Sequence, residues 1–271
     1  MAAAARVRTG FTDAFGLLAP LFAAPMDGVS GGALAAAVAR AGGLGSIACG
    51  AAADPAWVAA EVGAFRAAAP AGAALCLGFL GDKCVQHAGD HAPILDAIAA
   101  HGPEAVQLFV PSDALVAAVR AAAPELLVLA SVATVADARR LLRPEGTKHA
   151  RVDGLIATGR EGGGHSCAAA AGSGTLPLAR RIVELVELAG EAAGPRRPFV
   201  LAAGGIVDGP GAAAALALGC DGAVLGTRLF ATHQALNPNK ALLPAADAND
   251  VLKTDVCELG PAALPDDGRE D

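Results

Sequence analysis

The 271 residues include 20 Lys and Arg against 27 Asp and Glu, for a formal net charge of −7; 54% are hydrophobic, 17% are charged, and there is one Trp and no Tyr. Such a chain can build a large, alanine-rich core, but it lacks both the basic surface and the aromatic platforms that nucleic-acid binding uses. Six cysteines (Cys49, Cys76, Cys84, Cys167, Cys220 and Cys257) form no CxxC pair and no metal-finger spacing, which suits a reducing compartment better than a disulfide framework and points to no metal site.

Residues 1–9 hold two arginines and an alanine run but no apolar stretch long enough for a signal peptide. No later segment reaches the length of a membrane span once Gly, Pro and charges are counted. The expected location is cytoplasmic, with a short organellar transit peptide as the alternative. From there the chain alternates. Strands are predicted at 21–26, 44–48, 75–80, 105–110, 126–132, 154–159, 199–205 and 222–228, as continuous apolar runs of the kind that parallel strands covered on both faces require. Helices are predicted between them at 31–41, 55–69, 92–101, 113–123, 135–142, 176–192 and 210–218. Asp54-Pro55 reads as N-cap and first helical residue, Ser112 or Asp113 caps the next but one, and Thr134 precedes the following helix. Gly42-Gly43 and Gly219 are stop signals. Eight strands separated by helices predict one α/β domain over 1–260, a closed (β/α)8 TIM barrel; one strand fewer would leave a doubly wound sheet. The residues 261–271, rich in Pro and Asp, read as a disordered tail.

Three glycine-bearing segments each follow a predicted strand, which in a barrel puts them at the C-terminal mouth. They are Gly159-Arg160-Glu161-Gly162-Gly163-Gly164-His165, Ala202-Ala203-Gly204-Gly205-Ile206-Val207-Asp208-Gly209, and Gly226-Thr227-Arg228. Consecutive glycines leave main-chain N–H groups bare, and such a nest holds phosphate oxygens. Thr227 offers a hydroxyl and Arg228 a charge. His165 is the one histidine of six that follows a glycine loop at a strand end; an imidazole there can take a proton from a weak carbon acid or bond an anionic substrate. Ala24-Pro25-Met26-Asp27-Gly28-Val29-Ser30 reads equally as a strand-to-helix turn or as a rim against a flat ring, with Met26 as apolar contact. Lys83, Cys84 and His87 read as solvated loop, Glu161 as structural, and Cys167 with His165 lacks a third metal ligand.

Read together, these segments resemble the nitronate monooxygenase (2-nitropropane dioxygenase-like) family: Ala24–Ser30 with Ala41-Gly42-Gly43-Leu44-Gly45 is similar to its APMAGVS…AGGLG opening, Glu161–His165 to EAGGH, Ala202–Gly209 to AAGGIADG, and Leu225–Thr232 to MGTRFLAT. The resemblance runs in order over most of the chain. It implies FMN at the C-terminal face of the strands, no metal, and oxidation of alkyl nitronates such as propionate 3-nitronate, or of another small carbanion, with O2. It implies His165 as the active-site residue and Met26, Gly163, Gly205, Val224, Leu225, Gly226 and Thr227 as flavin contacts; with Pro25, Gly164 and Gly204 from the same turns these make the expected cofactor-binding set. The chain departs from the family pattern at Thr158, where Gln is common, at Cys167, where Gly is common, and around Cys76-Leu77-Gly78-Phe79, which lacks the family's Asn. Two further readings stand beside this one: an enoyl-acyl-carrier-protein reductase of the flavin type, which uses NAD(P)H, and a barrel that binds FMN or a phosphate metabolite without turnover. The sequence indicates no nucleic-acid or membrane partner and does not speak to oligomeric state.

Overall fold

Eight parallel strands form the sheet: β1 (Leu21–Ala23), β2 (Gly45–Ala48), β3 (Leu75–Leu80), β4 (Ala105–Phe109), β5 (Leu127–Val132), β6 (Gly154–Thr158), β7 (Phe199–Ala203) and β8 (Gly222–Leu225). Their order is β1-β8-β7-β6-β5-β4-β3-β2, and a parallel bridge between Phe22 and Leu44 joins the two ends. The ring therefore closes, as the eight-strand count predicts. The structure is a computed structural model that describes residues 6–50, 54–81, 90–142, 151–164, 172–190 and 197–237. The predicted tail at 261–271 lies outside these residues, as do Lys83, Cys84, His87, His165 and Cys167.

Around the strands lie α2 (Gly32–Arg40), α3 (Pro55–Ala68), α4 (Ala92–His101), α5 (Asp113–Ala122), α6 (Val135–Leu142), α7 (Thr175–Ala189) and α8 (Gly209–Ala217). The capping signals act as the sequence implies. The Asp54 carboxylate accepts from Ala56 N, the Ser112 hydroxyl from Leu115 N and the Thr134 hydroxyl from Asp137 N. Two short helices were not expected. α1 (Gly10–Phe15) starts with a capping box in which Thr12, rather than Glu or Gln, reaches back to the Thr9 amide. α9 (Thr227–Phe230) replaces the predicted end of the last strand.

Alternation along the strands separates two cores. Residues such as Leu77, Val106, Val128, Leu155 and Val200 face the helices, while Phe22, Leu44, Cys76, Ala105, Leu129, Ile156, Leu201 and Val224 fill the barrel. Phe11 of α1 meets Phe15 and Phe199 edge-on, with Phe11 to Phe199 centroids 6.1 Å apart, Phe15 lies tilted against Phe199, and the three plug the N-terminal end. At that end three acids bind neighbouring strands: Glu104 accepts from Leu75 N, Asp153 from Val128 N and from Arg120, and Asp221 from Val200 N and Arg197. Cys49, Cys76 and Cys220 are buried thiols, as expected of small hydrophobes in and beside strands. Among the described residues no helix is long and apolar enough to cross a membrane.

Candidate functional site

The opposite end of the barrel is built differently. β1 ends at Ala23, three residues short of its predicted limit, because Pro25 carries no N–H and the chain turns at once. The buried Ser30 hydroxyl holds this turn, accepting from Met26 N at 3.1 Å and donating to Ala24 O at 2.8 Å. Pro25 then lies over β3 at Gly78, where any Cβ would overlap the proline ring. β7 ends at Ala203 because Gly204 and Gly205 both take positive φ, +118° and +69°.

The loops after β6 and β7 meet. Gly159 N donates to Ala203 O, and Gly162 N turns back to Gly159 O at 2.9 Å. A Cβ on Gly204 would stand 2.7 Å from Gly162 N and 2.6 Å from Thr175 Oγ1, so the close approach of the two loops requires glycine there. Thr175 Oγ1 donates to Ala203 O at 3.1 Å. Glu161 accepts from Thr175 N at 2.8 Å and makes a second bond to its hydroxyl at 3.0 Å, capping α7, whose own N-cap, Gly174, has no side chain to do so. Burial alone would raise the Glu161 carboxyl, but its own backbone amide, the Thr175 amide and hydroxyl, and nearby Arg160 together hold it below the ordinary carboxylate value. Glu161 is thus the structural residue the sequence reading made it.

Beyond Gly162, the exposed Gly163 and Gly164 have open space where a Cβ would stand, with no described atom within 4 Å. On the other side, Ala24 N donates to Leu225 O, and a Cβ on Gly226 would stand 3.7 Å from both Ala24 Cβ and Met26 Sδ. Thr227 and Arg228 open α9 with exposed side chains, where first-turn amides have no intrahelical partner. Pro25, Met26, Gly163, Gly164, Gly204, Gly205, Leu225, Gly226 and Thr227 therefore gather around one mouth, and Val224 forms the inward-facing floor beneath them. His165 follows Gly164 in the chain but lies outside the described residues. Among the described residues, no group of three or more His, Cys, Asp or Glu is placed to hold a metal ion.

Gln107 and Ser131 went unremarked in the sequence. Both face the barrel interior on apolar strands, each is 6% exposed, and Gln107 Nε2 donates to Ser131 Oγ at 2.7 Å. The signal was available: a polar residue at inward parity in an otherwise apolar run. Just beyond Gln107, Val110 takes φ +43° with its N–H bonded to Ser131 O, a strained β-branched position of the kind that marks a constrained mouth.

A closed parallel barrel of eight strands with a glycine-lined C-terminal mouth and an apolar plug at its base is a TIM barrel. The chain belongs to the nitronate monooxygenase family, whose sequence model matches residues 85–252. It is 34% identical over 228 residues to the nitronate monooxygenase npaC of Metarhizium robertsii, covering 79% of this chain and 59% of that protein; the chain thus spans about six-tenths of that relative's length. Among solved structures it is similar to FabK from Thermotoga maritima (TM-score 0.67, 26% identity, covering 84% of this chain and 64% of the other). It is likewise similar to nitroalkane oxidase from Streptomyces ansochromogenes (TM-score 0.65, 28% identity, 85% and 70%).

Proposed function

We propose that the chain binds FMN at this mouth and oxidises small alkyl nitronates, of the propionate 3-nitronate kind, with O2. The observation that carries the reading is the convergence of Gly162–Gly164, Gly204–Gly205 and Gly226–Thr227 on one rim, beside Pro25 and Met26. Family membership and the likeness to a protein named nitroalkane oxidase support it. The residues fit the cofactor. Bare amides with open space above Gly163 and Gly164 suit phosphate oxygens, and the half-buried Pro25 and Met26 offer apolar contact to a planar ring.

FMN, when bound, supplies the electron acceptor. The chain's own part is positional. The loops after β6, β7 and β8 would anchor the phosphate, Pro25 and Met26 would bound the ring, and the apolar floor around Val224 and Ile156 would exclude water from beneath it. His165 bonds the nitro oxygens of the substrate or takes the α-proton of a neutral nitroalkane. The purified protein should be yellow and consume O2 with propionate 3-nitronate. His165→Ala should lower turnover of a neutral nitroalkane by about 100-fold or more and that of the preformed nitronate by less. A colourless protein that takes up no added FMN would sink the proposal. Anaerobic mixing with NADH separates it from the reductase reading, in which the yellow colour would bleach rapidly.

A further inference from the structure

We infer that Gln107, held by Ser131, reads the imide edge of the FMN pyrimidine ring; this rests on the proposed cofactor and assigns it a contact on the far side of the mouth. β4 is four strands from β8 in a ring of eight, so Gln107 stands diametrically opposite the Gly226–Thr227 rim. A ligand anchored by phosphate at β7 and β8 and leaning on Pro25 extends toward β3 and β4. Pro25 and Gln107 converge there: a Cβ on Gly78 would overlap the Pro25 ring and stand 3.2 Å from Gln107 Oε1. Pro25 fills the space that the missing side chain at Gly78 leaves, and so packs beside the Gln107 amide.

A glutamine only 6% exposed is expected to use its hydrogen-bonding groups. Here Nε2 donates one proton to Ser131 Oγ. Among the described residues, its second proton and Oε1 have no side-chain or backbone partner. Ser131 fixes the amide plane, and Val110 N–H to Ser131 O ties the ends of β4 and β5 together beside it. A fixed amide with one donor and one acceptor side by side is complementary to a carbonyl–N–H edge, taking the ring N3 proton on Oε1 and donating to a neighbouring ring carbonyl. A nitronate or nitro group has only acceptors, so it leaves Oε1 unpaired; the imide is the better match. Thr158, at inward parity on β6, bonds weakly to its own strand at Ile156 O and does not compete for this role.

The test is a flavin-fluorescence titration of the flavin-stripped full chain with FMN and with N3-methyl FMN, which lacks the imide proton. The wild type should prefer FMN by about tenfold or more, and Gln107→Leu should bring the ratio close to one while weakening FMN binding by about tenfold. Bound-flavin absorption should shift in the same variant, independently of turnover. Ser131→Ala, which keeps the glutamine but releases its orientation, should lower the ratio several-fold; it decides the matter if Gln107→Leu does not fold, as judged by thermal melting. Wild-type binding of FMN with an unchanged ratio in both variants overturns the assignment of Gln107 and leaves the proposed function standing. Failure of the wild type to bind FMN removes both.

Discussion

Replacing Gly204 with alanine asks whether the loops after β6 and β7 form one unit. Gly204 has φ +118°, and an added Cβ would stand 2.6 Å from Thr175 Oγ1 and 2.7 Å from Gly162 N. Holding alanine in such a backbone region costs about 1–3 kcal/mol, and forcing a methyl into a packed site costs about 1–3 kcal/mol more. Displacing Thr175 Oγ1 also threatens its bonds to Ala203 O and Glu161, at about 1 kcal/mol. Taking the lower half of these ranges, because neighbouring side chains share the strain, a loss of about 4 kcal/mol is expected. With a urea dependence of about 3 kcal/mol per molar for a domain of this size, the unfolding midpoint measured by circular dichroism should fall by about 1.3 M. Gly163→Ala is the control: its Cβ would meet no described atom within 4 Å, so stability should stay within about 0.5 kcal/mol. If the two variants unfold within about 0.2 M of each other, the reasoning about the shared loop is wrong.

Leu129 is fully buried inside the barrel, and Leu129→Ala should cost about 2–5 kcal/mol in the same assay; a loss below 1 kcal/mol would mean that the interior collapses around the cavity. Burial pushes the thiols of Cys49 up to about 12 and Cys220 up to about 11, and raises Cys76 well above its ordinary value. In the folded protein these three should resist iodoacetamide at pH 8, as read by peptide mass spectrometry, and react only on unfolding. Because these pKa values are raised, the associated stability is complete below the ordinary thiol value of 9.0 and drains as pH climbs toward 11 and 12. Glu161→Gln should weaken the start of α7 by about 1 kcal/mol. The Glu161 carboxyl is held low, so its contribution is present above the ordinary carboxylate value of 4.5 and fades as pH falls through its folded value. Melting curves across pH 3 to 7 should lose part of their acid sensitivity in that variant (about 1 kcal/mol), and an unchanged profile would contradict the cap.

The barrel was legible because its strands are apolar on both faces and its helices carry Asp54, Ser112 and Thr134 at their starts. Strand ends were not. The predicted strands extend to Met26, Gly205 and Arg228, but the observed ones stop at Ala23, Ala203 and Leu225, where Pro25, two positive-φ glycines and a short helical turn withdraw the backbone from the ladder. α1 was missed because Thr12 stands where a capping box usually has Glu or Gln. The glycine loops were recognisable as a group, since chain order alone assigns every strand's C-terminal end to one mouth. Gln107 and Ser131 were readable singly, as polar residues in apolar runs, but not as a pair, because their bond joins two strands 24 residues apart.

Glu104, Asp153 and Asp221 tie β3 to β4, β5 to β6 and β7 to β8. Strand register is thereby fixed in couples by carboxylates at the rim opposite the glycine-lined mouth, Asp221 buried, Asp153 half-buried and Glu104 exposed. These ties hold the staves at the base independently of the turns above, where only the seam of Gly204 with Thr175 and Gly162 bears on stability in the same way. The fastenings that set the register and the rim proposed to meet a small molecule thus occupy separate ends of the molecule, which makes the turns away from that seam the place to graft new specificity.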